Sequence, residues 1–212
     1  MRPLLEEYVR LEKKAYSGRT EKVKAIQSLL AAFDNEPELS LEEVMEFTSV
    51  GIIKPPIFNE LIYPVLDSAV QQGNLSAIKL LVKLASCLFA YQQQYKDWKY
   101  ELGELVAAGL KISPYDTELL THKYEHIQRY LGFTIHEVPS GVLWDMNGAD
   151  ASQCQELLQL ADELESLSRL LGKDNSQLLA ECRYYYRCYA AYLTQQSVYA
   201  SFAAYLAAHP NA

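Results

Sequence analysis

The stretch "HKYEH" at residues 122–126 sets His122 and His126 four apart, with Glu125 beside the second. On a helix the two imidazoles share a face and the carboxylate lies alongside, an arrangement that can hold a zinc ion and activate a bound water. Such a site closes only with a third ligand. The chain offers little other chemistry: it has no glycine-rich phosphate loop, no G-x-S-x-G elbow, and only four histidines.

The pair resembles the H-x-x-E-H metallopeptidases, a resemblance that implies an acidic ligand well downstream and a much larger mixed scaffold. At the expected distance stands "YASFAAYLAAH", which contains no acid, and Glu181 is out of step. The expectation is therefore no catalytic residue, no bound metal and no cofactor. A zinc hydrolase on His122, Glu125 and His126 is the alternative.

Aromatic and acidic residues carry more of the sequence's information. There are 16 tyrosines, concentrated in "ECRYYYRCYAAYLTQQSVYASFAAY", where Tyr185 and Tyr189 fall on one helical side with Cys182 and Tyr192. Such rings either dock a partner or fill the space between helices. "YQQQYKDWKY" (91–100) is a second aromatic patch under the same two readings. Acids are unevenly placed. Residues 34–46 hold six (Asp34, Glu36, Glu38, Glu42, Glu43, Glu46) and residues 130–168 hold seven (Glu137, Asp145, Asp150, Glu156, Asp162, Glu163, Glu165), with no Lys or Arg in either segment. The net charge is −8, so the rest of the chain is net basic. Both segments repel nucleic acid and steer a basic protein, unless each is simply a solvated face. Basic residues form no stripe with interleaved aromatics, which leaves nucleic-acid binding without support.

The elements that must position these residues read as helices throughout. Thr20 caps a helix to about Phe33, and "SLEE" (40–43) is a capping box. "KPPIFNELIYPVLDSAVQQG" enters through Pro55 and Pro56, kinks at Pro64 and closes at Gly73, after which Asn74 caps the next helix. A further helix holds Trp98, Leu102, Leu105 and Val106 and stops near Gly109. Ser113 and Pro114 open one that ends at Gly132. Ala151 to Leu171 is strongly periodic and closed by Gly172, Asp174 or Asn175 opens the next helix, and the Tyr-rich tail is helical with a break near 194–197. Between them, "FTIHEVPSGVLWDMNGAD" (133–150) breaks the pattern. It either folds back on the helices as a plug or forms a short β-hairpin near 133–146 that presents Trp144, Asp145, His136 and Glu137 as an aromatic anchor among acids.

The expected fold is all-α: about nine or ten helices in stacked antiparallel hairpins, as an α-solenoid or an irregular bundle. It forms a single domain over 1–212, or two lobes, 1–132 and 150–212, joined by 133–149. At 212 residues and half apolar the chain can bury a substantial core without staples. Cys87, Cys154, Cys182 and Cys188 lack metal-site spacing, and Cys182 and Cys188 sit six apart in one helix, which suits a reducing compartment. The glutamates of "MRPLLEEYVRLEKK" interrupt what a signal peptide would need, and no apolar run reaches a membrane span. A cytoplasmic location, with no membrane partner, is expected.

"AVQQGNLSAIKLLV" resembles the inner part of an ankyrin repeat through Ala69, Gly73, Asn74, Ile78, Leu80 and Leu81, without that family's upstream turn or a second copy. "GLKISPYD" is similar to the end of a tetratricopeptide repeat through Leu110 and Pro114. In size, acidity and helical content the whole chain resembles the helical immunity proteins of bacterial contact-dependent and other polymorphic toxin systems. That resemblance implies a protein that neutralises a cognate toxin, often a basic nuclease, by covering its active site. The surface expected to do so comprises Glu42, Glu43, Glu46, His136, Glu137, Trp144, Asp145, Asp162, Glu163, Tyr185 and Tyr189. A helical scaffold that captures peptides in a groove is the other protein-binding reading.

Overall fold

In the computed structural model, which describes residues 2–33, 36–50, 53–88, 99–138 and 150–209, every regular element is helical. The chain divides into two compact units, Met1–Pro114 and Tyr115–Ala212. The boundary precedes the helix carrying His122 and His126.

In the first unit, α1 (Pro3–Lys13) and α2 (Arg19–Phe33) form a hairpin. Glu12, whose side chain is only 2% exposed, crosses it to meet Lys22 Nζ at 2.7 Å. Thr20 lies inside the first turn of α2 and is not its cap. The turn is closed instead by Glu21, whose Oε2 accepts from Ser17 N and Oγ. The helix α3 (Leu41–Val50) begins at the expected capping box: Ser40 N donates to Glu43 Oε2 at 2.8 Å and Glu43 N to Ser40 Oγ at 3.2 Å. Tyr8 of α1 packs edge-on against Phe47 of α3, both fully buried.

Residues 55–71 make one continuous helix, α4, with a π turn at Phe58–Ile62 in its middle. Pro64 explains it. A proline in a helix cannot donate to the carbonyl four residues back and its ring crowds that carbonyl. Widening the preceding turn to i→i+5 bonding, with Tyr63 N donating to Phe58 O, accommodates the ring. Gly73 takes φ +73 to end α4, and Asn74 Oδ1 accepts from Ala77 N at 3.1 Å to open α5 (Leu75–Leu88). The helix α6 (Leu102–Ile112), opened by a Glu101/Glu104 capping box, packs on α5 and runs past Gly109. Just before it, Lys99 Nζ and the Tyr100 hydroxyl both reach Asp67 of α4, at 2.7 and 2.5 Å. Burial and the Asp67 carboxylate push the Tyr100 phenol up to about 12.

The second unit is a three-helix bundle of α7 (Thr117–Glu137), α8 (Ala151–Leu171) and α9 (Ser176–Leu193), with a short α10 (Phe202–Ala208) packed on α9. Its direction can be read from side-chain bonds: Tyr124 meets Asn175 and Thr134 meets Tyr186, so α7 and α9 run parallel. The tight turn at Gly172 (φ +64) reverses α8 against α9. Two expectations are corrected here. Asp116, not Ser113, caps α7, its Oδ1 accepting from Leu119 N at 3.1 Å. The helix also continues through Gly132 to Glu137, so Phe133 and Ile135 lie in α7, with Val138 at its C-cap, instead of alternating along a strand. Ile135, Val138 and Leu131 are buried together on the bundle side, and that burial outweighs the weak helix propensity of Gly132. Val142 to Trp144 lie outside the described residues.

Among the described residues ten helices and no strand satisfy the all-α expectation. Among the described residues no helix is long and apolar enough to cross a membrane.

Candidate protein-binding surface

The expected partner-binding residues that are described are divided between the two units. Glu42, Glu43 and Glu46 lie on α3 of the first unit, with Glu42 and Glu46 exposed. Glu43 is held within the fold: Arg2 reaches its two oxygens through Nε and Nη2, both at 2.8 Å. Arg2 also donates to the Pro37 and Glu38 carbonyls, which ties α1 to the 36–40 segment. The Ser40 N–H first, and then Arg2, hold the Glu43 carboxyl below its ordinary value near 4.5. A carboxyl whose folded-state pKa is depressed contributes stability that is complete above its unfolded value and is lost as pH falls through the folded one. Denaturation curves taken downward from pH 5 should therefore show a loss of stability that is shallower in Glu43→Gln. At pH 7 that variant should cost about 1 kcal/mol, the usual worth of a cap with a charge-assisted bond.

The remaining expected residues belong to the second unit or to the connection. Asp162 pairs with Arg183 at 2.7 Å, and Arg183 also holds Glu165 at 2.7 Å, fastening α9 to α8. Glu163 pairs with Lys123 of α7. Much of the charge in this segment is therefore matched across helices by bases from outside it. Tyr189 is 7% exposed and packs at 4.9 Å on Phe202, so its expected role as an exposed anchor is corrected to a place in the core. Aromatic rings pack edge to face here because the positive rim of one meets the negative face of the next. Tyr185 is half-buried against Tyr184 at 5.1 Å. His136 is exposed and Glu137 half-buried at the end of α7. Trp144 and Asp145, like the patch at 91–98, lie outside the described residues. His122 is half-buried and Glu125 and His126 are exposed along α7. Among the described residues no three His, Cys, Asp or Glu side chains gather as metal ligands.

In the first unit the 36–41 segment faces α4 across a groove of about 630 Å³. Phe33 and Leu39 are buried at its base, with Leu61 and Val65 of α4 half-buried beside them. Its polar lining, Glu36, Glu38, Glu60, Ser68 and Gln72, is exposed. Among the described residues none of the three glutamates is in an ion pair, and no Lys or Arg lines the groove. The acid run at 34–46 pointed to one wall of this groove. The other wall was not anticipated, although Pro64 inside a helical pattern is a signal that the hydrogen-bond ladder must yield there, and π turns of this kind recur at functional sites. An apolar base within an exposed charged rim is the anatomy of a protein-docking surface. No protein-family model matches the chain, and no curated protein or solved structure resembles it.

Proposed function

We propose that this protein binds another, basic protein and carries out no bond-making step of its own, acting as an immunity protein that neutralises a toxin domain by covering it. The observation that supports the reading is the exposed acidic rim of Glu36, Glu38 and Glu60 around the first unit's groove, whose base is apolar. Fixed like charges of this kind raise the encounter rate with a cationic partner and are screened within about 8 Å at physiological salt. The acids of the second unit contribute less in this reading, because Asp162, Glu163 and Glu165 already have basic neighbours.

Co-expression with the toxin C-terminal domain encoded by the adjacent upstream gene tests it. The expected result is rescue of growth, together with a 1:1 complex whose association slows at least tenfold between about 0.05 and 0.5 M NaCl. Rescue without a complex, or a complex whose association rate ignores salt, would contradict the proposal.

A further inference from the structure

We infer that the groove between residues 36–41 and α4 is the docking site for a cationic amphipathic helix of the partner. This inference rests on the protein-binding reading and names the segment recognised.

Charge selects the sign of the occupant. Glu36 and Glu38 stand on one wall and Glu60 on the other, all exposed and, among the described residues, outside any ion pair. Arg2, the nearby base, is committed to Glu43 and to the Pro37 and Glu38 carbonyls, so it leaves the three rim carboxylates uncompensated. A segment bringing Lys or Arg to both walls supplies the missing counter-charges at a wet rim, where they set partner choice and rate.

The lining selects a polypeptide over a small ligand. Small-molecule sites carry a few polar groups placed inside an enclosed pocket to fix orientation. Every polar residue lining this groove is exposed, and its inner surface, from Phe33 and Leu39 to Leu61 and Val65, is apolar. That surface receives Leu-type anchors.

Backbone accounting selects a helix over an extended strand. A peptide that docks as a β-strand pairs its N–H and C=O groups with a sheet edge. Among the described residues there is no strand at all. A helix satisfies its backbone internally and presents anchors at i, i+3, i+4 and i+7 to a groove. The continuous α4, with the π turn setting Glu60 and Leu61 beside Pro64 and Val65, provides a wall for such a partner.

The test uses the intact protein and a fluorescein-labelled amphipathic peptide of leucine and lysine, about 18 residues (five helical turns) long. Its controls are the corresponding leucine/glutamate peptide and a scrambled leucine/lysine sequence, with binding read by fluorescence anisotropy. The amphipathic leucine/lysine peptide is expected to bind, the leucine/glutamate peptide not to bind, and scrambling to weaken binding at least fivefold. Glu38→Lys/Glu60→Lys should weaken binding at least tenfold, whereas Glu125→Lys/Glu156→Lys, the same charge change at exposed sites of the second unit, should stay within twofold. All four substituted positions are exposed, and circular dichroism checks that each variant is folded. Val65→Arg, which places a like charge among the anchors, should abolish binding. Equal losses from the two double variants, or no loss from the first, would overturn the groove assignment while leaving a basic partner in place. No binding of either leucine/lysine peptide would overturn both.

Discussion

Tyr186→Ala is expected to destabilise the second unit by about 4 kcal/mol, the scale for deleting a buried aromatic side chain. Tyr186 is 0% exposed at the centre of the three-helix bundle. Its hydroxyl lies 2.5 Å from Thr134 Oγ1, and because that threonine already donates to the Leu131 carbonyl, the tyrosine is the donor between them. Cys182 Sγ lies 4.0 Å from the same oxygen. Burial raises the Tyr186 phenol far above its ordinary value, so the neutral hydroxyl persists at every pH at which the protein is handled. Tyr186→Phe keeps the ring and removes the bond to Thr134, whose donor remains satisfied, and the weak thiol bond from Cys182, and should cost about 1 kcal/mol. Urea denaturation of both variants measures the difference. Alkylation of the buried thiols Cys154, Cys182 and Cys188 follows the opening of this unit, because burial pushes the first two up to about 11 and leaves them little thiolate. Similar costs for the two substitutions would mean that the ring's packing is not what holds the bundle.

Asn175→Ala should cost about 3 kcal/mol, by a different mechanism. Asn175 is 8% exposed at the start of α9 and touches the other two long helices with its side chain. Its Nδ2 donates to Tyr124 Oη of α7 at 2.8 Å and to Ser168 Oγ of α8 at 3.0 Å, while Oδ1 accepts from Gln128 Nε2 at 2.9 Å. Because the side chain is spent in this way, the neighbouring Asp174 caps the helix, its Oδ1 accepting from Ser176 N. Alanine leaves the buried Tyr124 hydroxyl and the half-buried Gln128 amide without these bonds. Asn175→Asp should be worse than alanine at pH 7, since it removes both donors and buries a carboxylate, and should recover as pH falls and the carboxyl protonates. Thermal melts of the three proteins at pH 7 and pH 4.5 decide it. Equal stability of Asn175→Ala and the parent would remove this junction from the account.

The parts of this fold that were legible are those set by local chemistry. Ser40 and Glu43 satisfy each other within one turn, Asn74 caps its own helix, and Gly73 and Gly172 occupy positive-φ positions that favour a residue without Cβ. The boundaries of α8 were readable for the same reason, with Asp150 accepting from Gln153 N at one end and Gly172 at the other. What stayed hidden depends on partners distant in sequence. Glu43, Asp162 and Glu163 belong to acid-only segments, yet Arg2, Arg183 and Lys123 meet them from other helices, and no spacing rule announces that. The tyrosine-rich tail resolves in the same manner. The ring of Tyr189 is buried because α10 turns back and sets Phe202 against it, a contact invisible along a single helical wheel. Gly132 failed as a helix stop because Leu131 and Ile135 on either side of it are anchored in the bundle.

Hydrogen–deuterium exchange of the intact protein, with and without the amphipathic leucine/lysine peptide, tests most directly whether the acidic groove is where a basic partner sits. Slower exchange on binding in segments 36–41 and 60–69, with 117–137 and 176–193 unchanged, is the predicted result. Protection confined to the second unit, or none in either groove wall under saturating peptide, would contradict it.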